Sequence, residues 1–321
     1  MHLTLLTTAA SAAISHIECL RDVCSGFSFD LDQAHNPSWM SDIPDNVEVS
    51  SLSIPGTHNS MTDVIRNHVV LQCQNTKLAT QLEAGVRYID VTAHLEQNRI
   101  DIFHAKSNTT YGLDMVLSTA YDFLDSYPTE GLMLRIEKDP WADVDDWVFE
   151  DAISQYLDSD TELGKRSRSH LYVPPSADSL APKMCDIRGK VMILQGFKTR
   201  NPARFGMPWK SPAMEVTEWK IANSDYIGMG AKWIVLKTSL DSVKKEQENK
   251  LHIIDASISI GNTPSGAADG TFVHKKGVND RLGNYLNETM NARTGVLAMD
   301  FPGKQLVNLI IARNTQLRQS S

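Results

Sequence analysis

The segment that decides the fold is residues 53–60, which read Ser-Ile-Pro-Gly-Thr-His-Asn-Ser. It overlaps the end of a strand-like apolar run, Val47–Ile54, and Pro55 and Gly56 are expected to break that strand sharply. The break leaves His58 at the edge of a predicted sheet. A histidine there can take up and release a proton near neutral pH, so His58 is the first candidate for chemistry.

Downstream of this segment, strand-like runs alternate with stretches whose apolar residues recur at helical spacing. The strand candidates, counting the first, are Val47–Ile54, Val86–Leu95, Arg99–His104, Gly131–Glu137, Lys190–Phe197, Ala213–Trp219, Leu251–Ile260 and Thr294–Phe301. Only residues 159–189 and 198–212, which are rich in Pro and Ser, show few helical patterns. Alternation of strands and helices is typical of a parallel sheet. About eight strands without a dinucleotide-binding glycine motif favour an irregular (β/α)8 barrel of the TIM type, in the α/β class, over an open sheet.

These patterns predict a single barrel domain over residues 46–321. Residues 1–45 are irregular, with breaks at Gly26, Pro37 and Pro44, and are expected to form an extension that wraps the barrel.

Composition narrows the class of protein. The 321 residues are 41% hydrophobic and 22% charged, which is typical of a globular protein with a sizeable core. No run approaches the roughly 18 apolar residues of a membrane-spanning helix. A net charge of -8 argues against a nucleic-acid partner, because such proteins cluster Lys and Arg. The densest basic stretch, residues 165–168, is interpreted as a solvated loop.

The sequence features that bear on the cellular compartment disagree. Residues 1–13 half-resemble a signal peptide, but no Lys or Arg precedes the apolar stretch. Glycosylation sequons begin at Asn108 and Asn287, and the pair Cys19 and Cys24 either bridges in an oxidising compartment or stays free. A cytoplasmic location is favoured over a secreted one, and the compartment otherwise stays open.

Polar residues recur near the carboxyl ends of the predicted strands. Because side chains alternate along a strand, each of these residues shares a face with its second neighbours. The residues in question are Asp90, Thr92, His104, Arg135, Glu137 and Asp300. Active sites of α/β barrels gather at this end of the barrel. His58 and His104 facing one cavity can act as base and acid, and Asp300 is a candidate to hold one imidazole in the required tautomer.

Seven motifs follow one another along the chain: Trp39-Met40, Ile43-Pro44-Asp45, Ser53 to His58, Gly85 to Asp90, Phe103-His104, Leu132 to Glu137 and Gly295 to Phe301. Taken in this order, they resemble the bacterial phosphatidylinositol-specific phospholipase C family. The resemblance implies an irregular (β/α) barrel that cleaves phosphatidylinositol to diacylglycerol and a cyclic inositol phosphate, with peripheral contact to the membrane. It also implies that His58 is the general base, His104 the general acid, and Asp300 the carboxylate paired with the base.

The sequence departs from that family where the substrate phosphate is bound. Thr92 stands where bacterial members carry an arginine, whereas eukaryotic relatives place a calcium-binding carboxylate there. Asn59, Asp90 and Glu137 match the rest of the calcium set, and oxygen ligands suit Ca²⁺. The alternative to calcium is a protein cation, either Lys106 or an Arg135 that pairs with Asp90 or Glu137 inside the barrel.

The head-group pocket is predicted more loosely than the catalytic residues. Glu218 and Trp219 stand near the positions of an acid and a tyrosine that line the inositol pocket in the family. With Thr92, Arg135 and Lys106 they make up the predicted substrate-binding set.

Other functions stay open. A glycerophosphodiesterase-like barrel expects His-Arg and Glu-x-Asp motifs that are absent from this sequence. Alternatively, the barrel acts as a lyase or cyclase on another, non-phosphate substrate, or it is a binding module without catalytic activity. For membrane contact the candidates are Phe205, Met207 and Trp209, whose alternative role is ordinary packing.

Overall fold

The computed structural model describes residues 26–66, 68–219, 226–244, 250–258, 263–270 and 276–319. The signal-like N-terminus and the pair Cys19 and Cys24 lie outside these ranges. The bounds of the strands are β1 Ser53–Thr57, β2 Tyr88–Glu96, β3 Arg99–His104, β4 Ser107–Gly112, β5 Gly131–Lys138, β6 Leu171–Tyr172, β7 Lys190–Gly196, β8 Met207–Pro208, β9 Met214–Thr217, β10 Leu251–Asp255 and β11 Gly295–Met299. The helices are α1 Leu78–Ala84, α2 Leu113–Ser126, α3 Asp146–Leu157, α4 Glu162–His170, α5 Met184–Ile187, α6 Tyr226–Val243, α7 Pro264–Asp269, α8 Val278–Glu288 and α9 Lys304–Ala312.

The strands form one curled sheet in the order β6-β7-β5-β2-β1-β11-β10-β9, and every neighbouring pair in this order is parallel. Strand β8 continues the edge of β7 beyond β6. Within the described ranges, no strand pairing joins β8 to β9, so the sheet is not hydrogen-bonded shut at that seam. This is the irregular barrel of the TIM type that the alternation of strands and helices predicts.

Alternate side chains of each strand divide between two surroundings. One face packs inside the barrel in a single cluster that draws residues from the parallel strands but not from β3 or β4, among them Ile54, Met133 and Val296. The other face packs under the helices: Leu132 and Leu134 lie against α2 and α3, and Leu297 lies against α8 and α9. This two-sided burial explains why the parallel strands read as nearly continuous apolar runs.

The predicted break at Pro55 and Gly56 is wrong. Both residues lie within β1, while the start of the predicted strand forms a short 3₁₀ turn, Val49–Ser51. The Pro55 carbonyl still accepts a hydrogen bond from the Arg87 backbone at 2.9 Å. A Cβ at residue 56 would lie 2.8 Å from the Cβ of Tyr88, so the glycine allows β2 to approach β1 closely rather than ending the strand.

Two further predictions need correction. Strand β3 has the predicted bounds but is not a barrel strand, because it pairs antiparallel with β2 and with β4 as an excursion from the sheet. Residues 165–168 lie in helix α4 and not in a loop. Thr161 caps this helix by accepting a hydrogen bond from the Gly164 backbone. Because α4 is mostly polar, the spacing of its apolar residues does not indicate a helix.

The N-terminal extension is held to the barrel by a buried ion pair. Arg87 and Glu130 have fully buried side chains 2.8 Å apart. Arg87 also donates to the carbonyl of Pro37 at 2.7 Å, and Glu130 accepts from the Met40 backbone at 3.1 Å. These bonds fasten residues 36–40 to the barrel, and the division into an extension and one barrel domain stays a prediction. None of the helices in the described ranges combines the length and apolar character needed to cross a bilayer.

Candidate active site

His58 is placed by the pairing of the first and last strands. Thr57 is in register with Met299, so the residues that follow both strands emerge side by side. His58 Nδ1 lies 2.9 Å from Asp300 Oδ1, and the His58 backbone donates to the Met299 carbonyl at 3.0 Å. The Gln74 amide donates at 2.8 Å to the carbonyls of both His58 and Met299. The two strand ends are thereby held together.

His104 is the last residue of β3 and faces His58 edge-on. The two ring centroids are 6.2 Å apart, with an interplanar angle of 83°. His104 Nδ1 lies 2.7 Å from the Leu71 carbonyl. Because a carbonyl only accepts hydrogen bonds, Nδ1 carries the hydrogen, and Nε2 is the nitrogen that gains or loses a proton. In His58 the bond to Asp300 likewise places a hydrogen on Nδ1.

The surroundings move the pKa values of the two histidines apart. Burial opposes protonation of His58, but the carboxylate of Asp300 outweighs burial and raises the pKa of His58 well above 6.5. For His104, burial and the nearby charge of His58 lower the pKa below 6.5. Near neutral pH the pair therefore shares one proton, held mainly by His58.

Both rings open on a cavity of about 390 Å³ at the carboxyl end of the strands. Most of the candidate residues line it: His58, Asn59, Asp90, Thr92, His104, Arg135, Glu137 and Glu218. Asp300 lies behind His58. Lys106 and Trp219, although both are in the described ranges, lie outside the lining. Lys106 is exposed with its Nζ over the Trp141 ring at 5.1 Å, and the Trp219 carbonyl accepts from Lys232 at 3.0 Å.

Arg135 occupies the centre of the acidic side of the cavity. Its guanidinium bonds Asp90 at 2.9 Å and Glu137 at 3.1 Å, and lies 3.6 Å from Glu218. The Trp209 ring stacks on the same group, with 4.4 Å from the guanidinium carbon to the ring centroid. Burial opposes the charge of Arg135, but the carboxylates around it, Asp90 first, raise its pKa, so the guanidinium stays charged.

The predicted calcium ligands are engaged in other bonds. Asp90 and Glu137 both direct an oxygen at Arg135, and the Asn59 amide lies 2.9 Å from Nε2 of His58. Ca²⁺ needs about 6–8 oxygen ligands. A guanidinium already sits between the two carboxylates, so this arrangement does not fit calcium.

Several lining residues were missed by reasoning from the sequence. They are Tyr88, Asp139, Trp141, Trp209 and Asp255. Asp255 ends β10, but the predicted strand continued to Ile260, so the strand-end criterion did not select this residue. Burial opposes ionisation of Asp255, but the nearby Lys232 charge outweighs it and lowers the pKa of this carboxyl. Trp209 follows a two-residue strand that has no recognisable periodicity.

The predicted membrane-contact residues are wrong. Phe205 and Met207 are buried in the apolar core, and Trp209 packs on Arg135 inside the cavity. Ordinary packing, the alternative considered for these residues, is what the structure contains.

A histidine pair with a carboxylate, at the carboxyl end of an irregular TIM-type barrel, defines the class of phospholipase C-like phosphodiesterases. Residues 48–195 match the family model for the phosphatidylinositol-specific phospholipase C X domain. A 1-phosphatidylinositol phosphodiesterase of Listeria monocytogenes is 28% identical over 295 residues, which are 86% of this chain and 84% of the relative. One from Staphylococcus aureus strain Newman is 23% identical over 287 residues, or 83% of this chain and 88% of the relative.

Solved structures agree with this assignment. The phosphatidylinositol-specific phospholipase C of Listeria monocytogenes superimposes with a TM-score of 0.72 at 25% identity, covering 88% of this chain and 100% of that one. A Staphylococcus aureus enzyme of the same name, described for the modulation of its membrane binding, superimposes with a TM-score of 0.69 at 19% identity. The match covers 88% of this chain and 99% of that one. Over most of its length, the chain is therefore similar to bacterial phosphatidylinositol-specific phospholipases C.

The charge on Asp300 sets the order in which the two histidines titrate. In an NMR titration of the imidazole nitrogens, we expect His58 to titrate above pH 6.5 and His104 below it. Asp300→Asn removes the charge that favours protonated His58, so the pKa of His58 should fall. Asp139→Asn is the matched control, because Asp139 pairs with His94 at 2.7 Å, and it should leave the titration of His58 unchanged. The opposite order in the wild-type protein would contradict this assignment.

Proposed function

We propose that the protein is a phosphodiesterase of the phospholipase C type, which cleaves phosphatidylinositol through His58 and His104. The observation that carries the proposal is the arrangement of two imidazoles 6.2 Å apart, with pKa values shifted in opposite directions, at one cavity. Pairs of titratable groups whose surroundings separate their pKa values are typical of acid–base sites. The relatives named 1-phosphatidylinositol phosphodiesterase supply the substrate class.

The reaction is an internal attack within the head group. The reaction starts from the minor protonation state, in which the shared proton lies on His104 Nε2 and His58 Nε2 is free. His58 Nε2 then removes the proton from the inositol hydroxyl next to the phosphate, and Asp300 stabilises the imidazolium that forms. The freed oxygen bonds to phosphorus, and the bond from phosphorus to the diacylglycerol oxygen breaks. His104 Nε2 donates its proton to that leaving oxygen. The products are diacylglycerol and a cyclic inositol phosphate, so the first step needs no water.

The two sides of the cavity suit different parts of the substrate. The proton shared by the histidines places one positive charge beside the phosphate. The opposite side carries Asp90, Glu137 and Glu218, whose oxygens accept hydrogen bonds from the hydroxyls of a polyol. Arg135 neutralises part of this acidic side and is the protein cation that replaces the arginine missing at Thr92.

The acidic lining also favours a second candidate function. With Asp139 and Asp255 the cavity contains five carboxylates, a charge that opposes a phosphate anion. A lyase or cyclase acting on an uncharged polyol or a cationic substrate accommodates this lining. Cleavage of phosphatidylinositol by the purified protein separates the two candidates.

Loss of either histidine should remove a positioned proton carrier. We expect His58→Ala and His104→Ala each to lower kcat on phosphatidylinositol by about 10²–10⁴-fold, measured as release of water-soluble phosphate from vesicles. His94→Ala is the matched control, because His94 also pairs with an aspartate but does not line the cavity. Circular dichroism checks folding. Activity close to that of the wild-type protein in either variant would exclude the two-histidine mechanism.

Arg135 and calcium are distinguished by a chelator. Since Arg135 lies between the carboxylates that calcium needs, we expect full activity in excess EDTA and a loss of about 10²-fold or more in Arg135→Gln, by analogy with loss of one stabilising donor. Arg99→Gln is the control, because its ion pair with Asp101 lies outside the cavity. Activity lost in EDTA and restored by calcium would instead assign the cation to a metal held by Asn59, Asp90 and Glu137.

The cavity mouth provides the membrane contact of this proposal. Val69 and Val70 are 59% and 58% exposed beside Leu71, whose carbonyl bonds His104. Trp141 lines the cavity and is 65% exposed, with the positive charge of Lys106 over its ring. Apolar side chains and a cation at one mouth suit a bilayer that contains an anionic lipid.

Removing this apolar rim should weaken vesicle binding. Burial of a large apolar side chain contributes about 1.5–3 kcal/mol, so Trp141→Ala should weaken partitioning onto phosphatidylinositol vesicles by about 10-fold or more. Val69→Ser combined with Val70→Ser should act in the same direction. Trp147→Ala, which removes a 44% exposed tryptophan on α3, is the matched control. Equal binding by the Trp141 and Trp147 variants in a sedimentation assay would remove the rim from the proposal.

A further inference from the structure

A buried thiol that the proposed reaction does not use lies against the histidine pair. Cys73 is almost completely buried. Its Sγ is 4.0 Å from His104 Nδ1 and 3.9 Å from the Asn59 amide nitrogen. One ligand atom each from His58, Cys73 and Asp300 lies within 4.8 Å of the other two. A nitrogen, a sulfur and an oxygen donor therefore converge at the innermost point of the site.

Asp300 supplies a second, independent observation. Its Oδ1 bonds His58, but its Oδ2 is buried and has no hydrogen-bond partner among the described residues. The Asp300 side chain is only 4% exposed. A buried carboxylate oxygen without a partner is costly, and a cation at this point would satisfy it.

We propose that His58, Cys73 and Asp300 form a binding site for zinc, or for a chemically similar thiophilic divalent cation, and that filling this site stops catalysis. Zinc accepts imidazole, thiolate and carboxylate ligands at about 2.0–2.3 Å in tetrahedral geometry. Ligand atoms 4.8 Å apart or less need only a small contraction to reach such bonds. Three protein ligands leave the fourth position for a water molecule on the side of the cavity that His58 lines.

Inhibition follows from the ligands that the metal takes. A zinc ion on His58 occupies a nitrogen of the general base and holds its ring, so the substrate hydroxyl keeps its proton. Burial raises the pKa of the Cys73 thiol to about 12, so in the metal-free protein the sulfur carries a proton. Zinc replaces this proton, and the proton that His58 carries, and both pass to the solvent. Two anionic ligands then balance the charge of the ion.

The choice of metal distinguishes this site from the calcium alternative. Calcium and magnesium prefer sets made only of oxygen ligands, whereas a thiolate and an imidazole favour zinc or cobalt. The site also lies behind His58, whereas the side chains of Asp90 and Glu137 reach Arg135. Calcium should therefore leave the zinc site empty at concentrations that restore any calcium-dependent activity.

Cobalt binding tests the site without any turnover, so the result holds even if the proposed reaction is wrong. Titration of the full-length protein with Co²⁺ should produce a charge-transfer absorption from thiolate to cobalt in the near ultraviolet, and zinc should displace it. Cys73→Ala and Cys73→Ser should both lack this absorption. Cys185→Ala is the matched control, because Cys185 is a free and exposed thiol, and it should keep the absorption. A spectrum that Cys73→Ala does not change would overturn the proposal.

Inhibition by zinc provides the second readout. Each variant is compared with its own rate in EDTA, so that a change in basal activity does not enter the comparison. The zinc concentration for half-inhibition should rise at least about 10-fold in Cys73→Ala, on the scale of losing an interaction that supports a metal. It should not change in Cys185→Ala. Equal inhibition of the wild-type protein and Cys73→Ala, or stimulation of the wild-type protein by zinc, would contradict the assignment.

Discussion

The parallel register of β11, β1, β2 and β5 is the constraint on which the site depends. Thr57 is in register with Met299 and with Ile89, and Ile89 is in register with Leu134. The residues that follow in each strand consequently emerge at one rim. A shift of one residue in any of these pairings would turn its polar side chain into the helical layer. Gly56 keeps the register possible, because a side chain there would collide with Tyr88.

Electrostatics divides the cavity that this register builds. On one side, the carboxylate of Asp300 favours a proton on His58, and burial together with that proton lowers the pKa of His104. On the other side, Arg135 is held by carboxylates from β2 and β5 and by the Trp209 ring. In the proposed function, the first side moves protons beside the substrate phosphate, and the second binds hydroxyl groups. Behind His58, Asp300 bonds the imidazole through only one of its two carboxylate oxygens. The Cys73 sulfur lies within 4.8 Å of a ligand atom of each of these two residues. A base held by a buried carboxylate and flanked by a thiol is therefore suited to capture a thiophilic metal.

The strand ends could be predicted from the sequence because a period of two and a carboxyl-terminal polar residue are local signals. These signals alone are sufficient to place His58, His104, Asp300 and most of the polar lining at the ends of strands. The role of Pro55 and Gly56 could not be predicted, since it depends on the approach of Tyr88 from a distant strand. The antiparallel pairing of β3 outside the barrel could not be predicted either, because the side chains of β3 alternate between the two faces in the same pattern as those of a barrel strand. The sequence left open whether calcium or Arg135 supplies the positive charge beside the carboxylates. Only the three-dimensional arrangement of the carboxylates around Arg135 favours the arginine. The proton-transfer roles and the substrate class came from the resemblance of the motifs to the family, whereas the exposed rim of Val69, Val70 and Trp141 is a property of the folded surface.

The identity of the first product tests the central claim most directly. If His58 activates a hydroxyl of the head group itself, phosphorus NMR of the purified protein with phosphatidylinositol should detect a cyclic inositol phosphate as the earliest water-soluble species. In ¹⁸O-labelled water that product should carry no label, because water takes no part in the step that forms it. An open, labelled inositol phosphate as the first product would contradict the account, and so would the release of no phosphate at all.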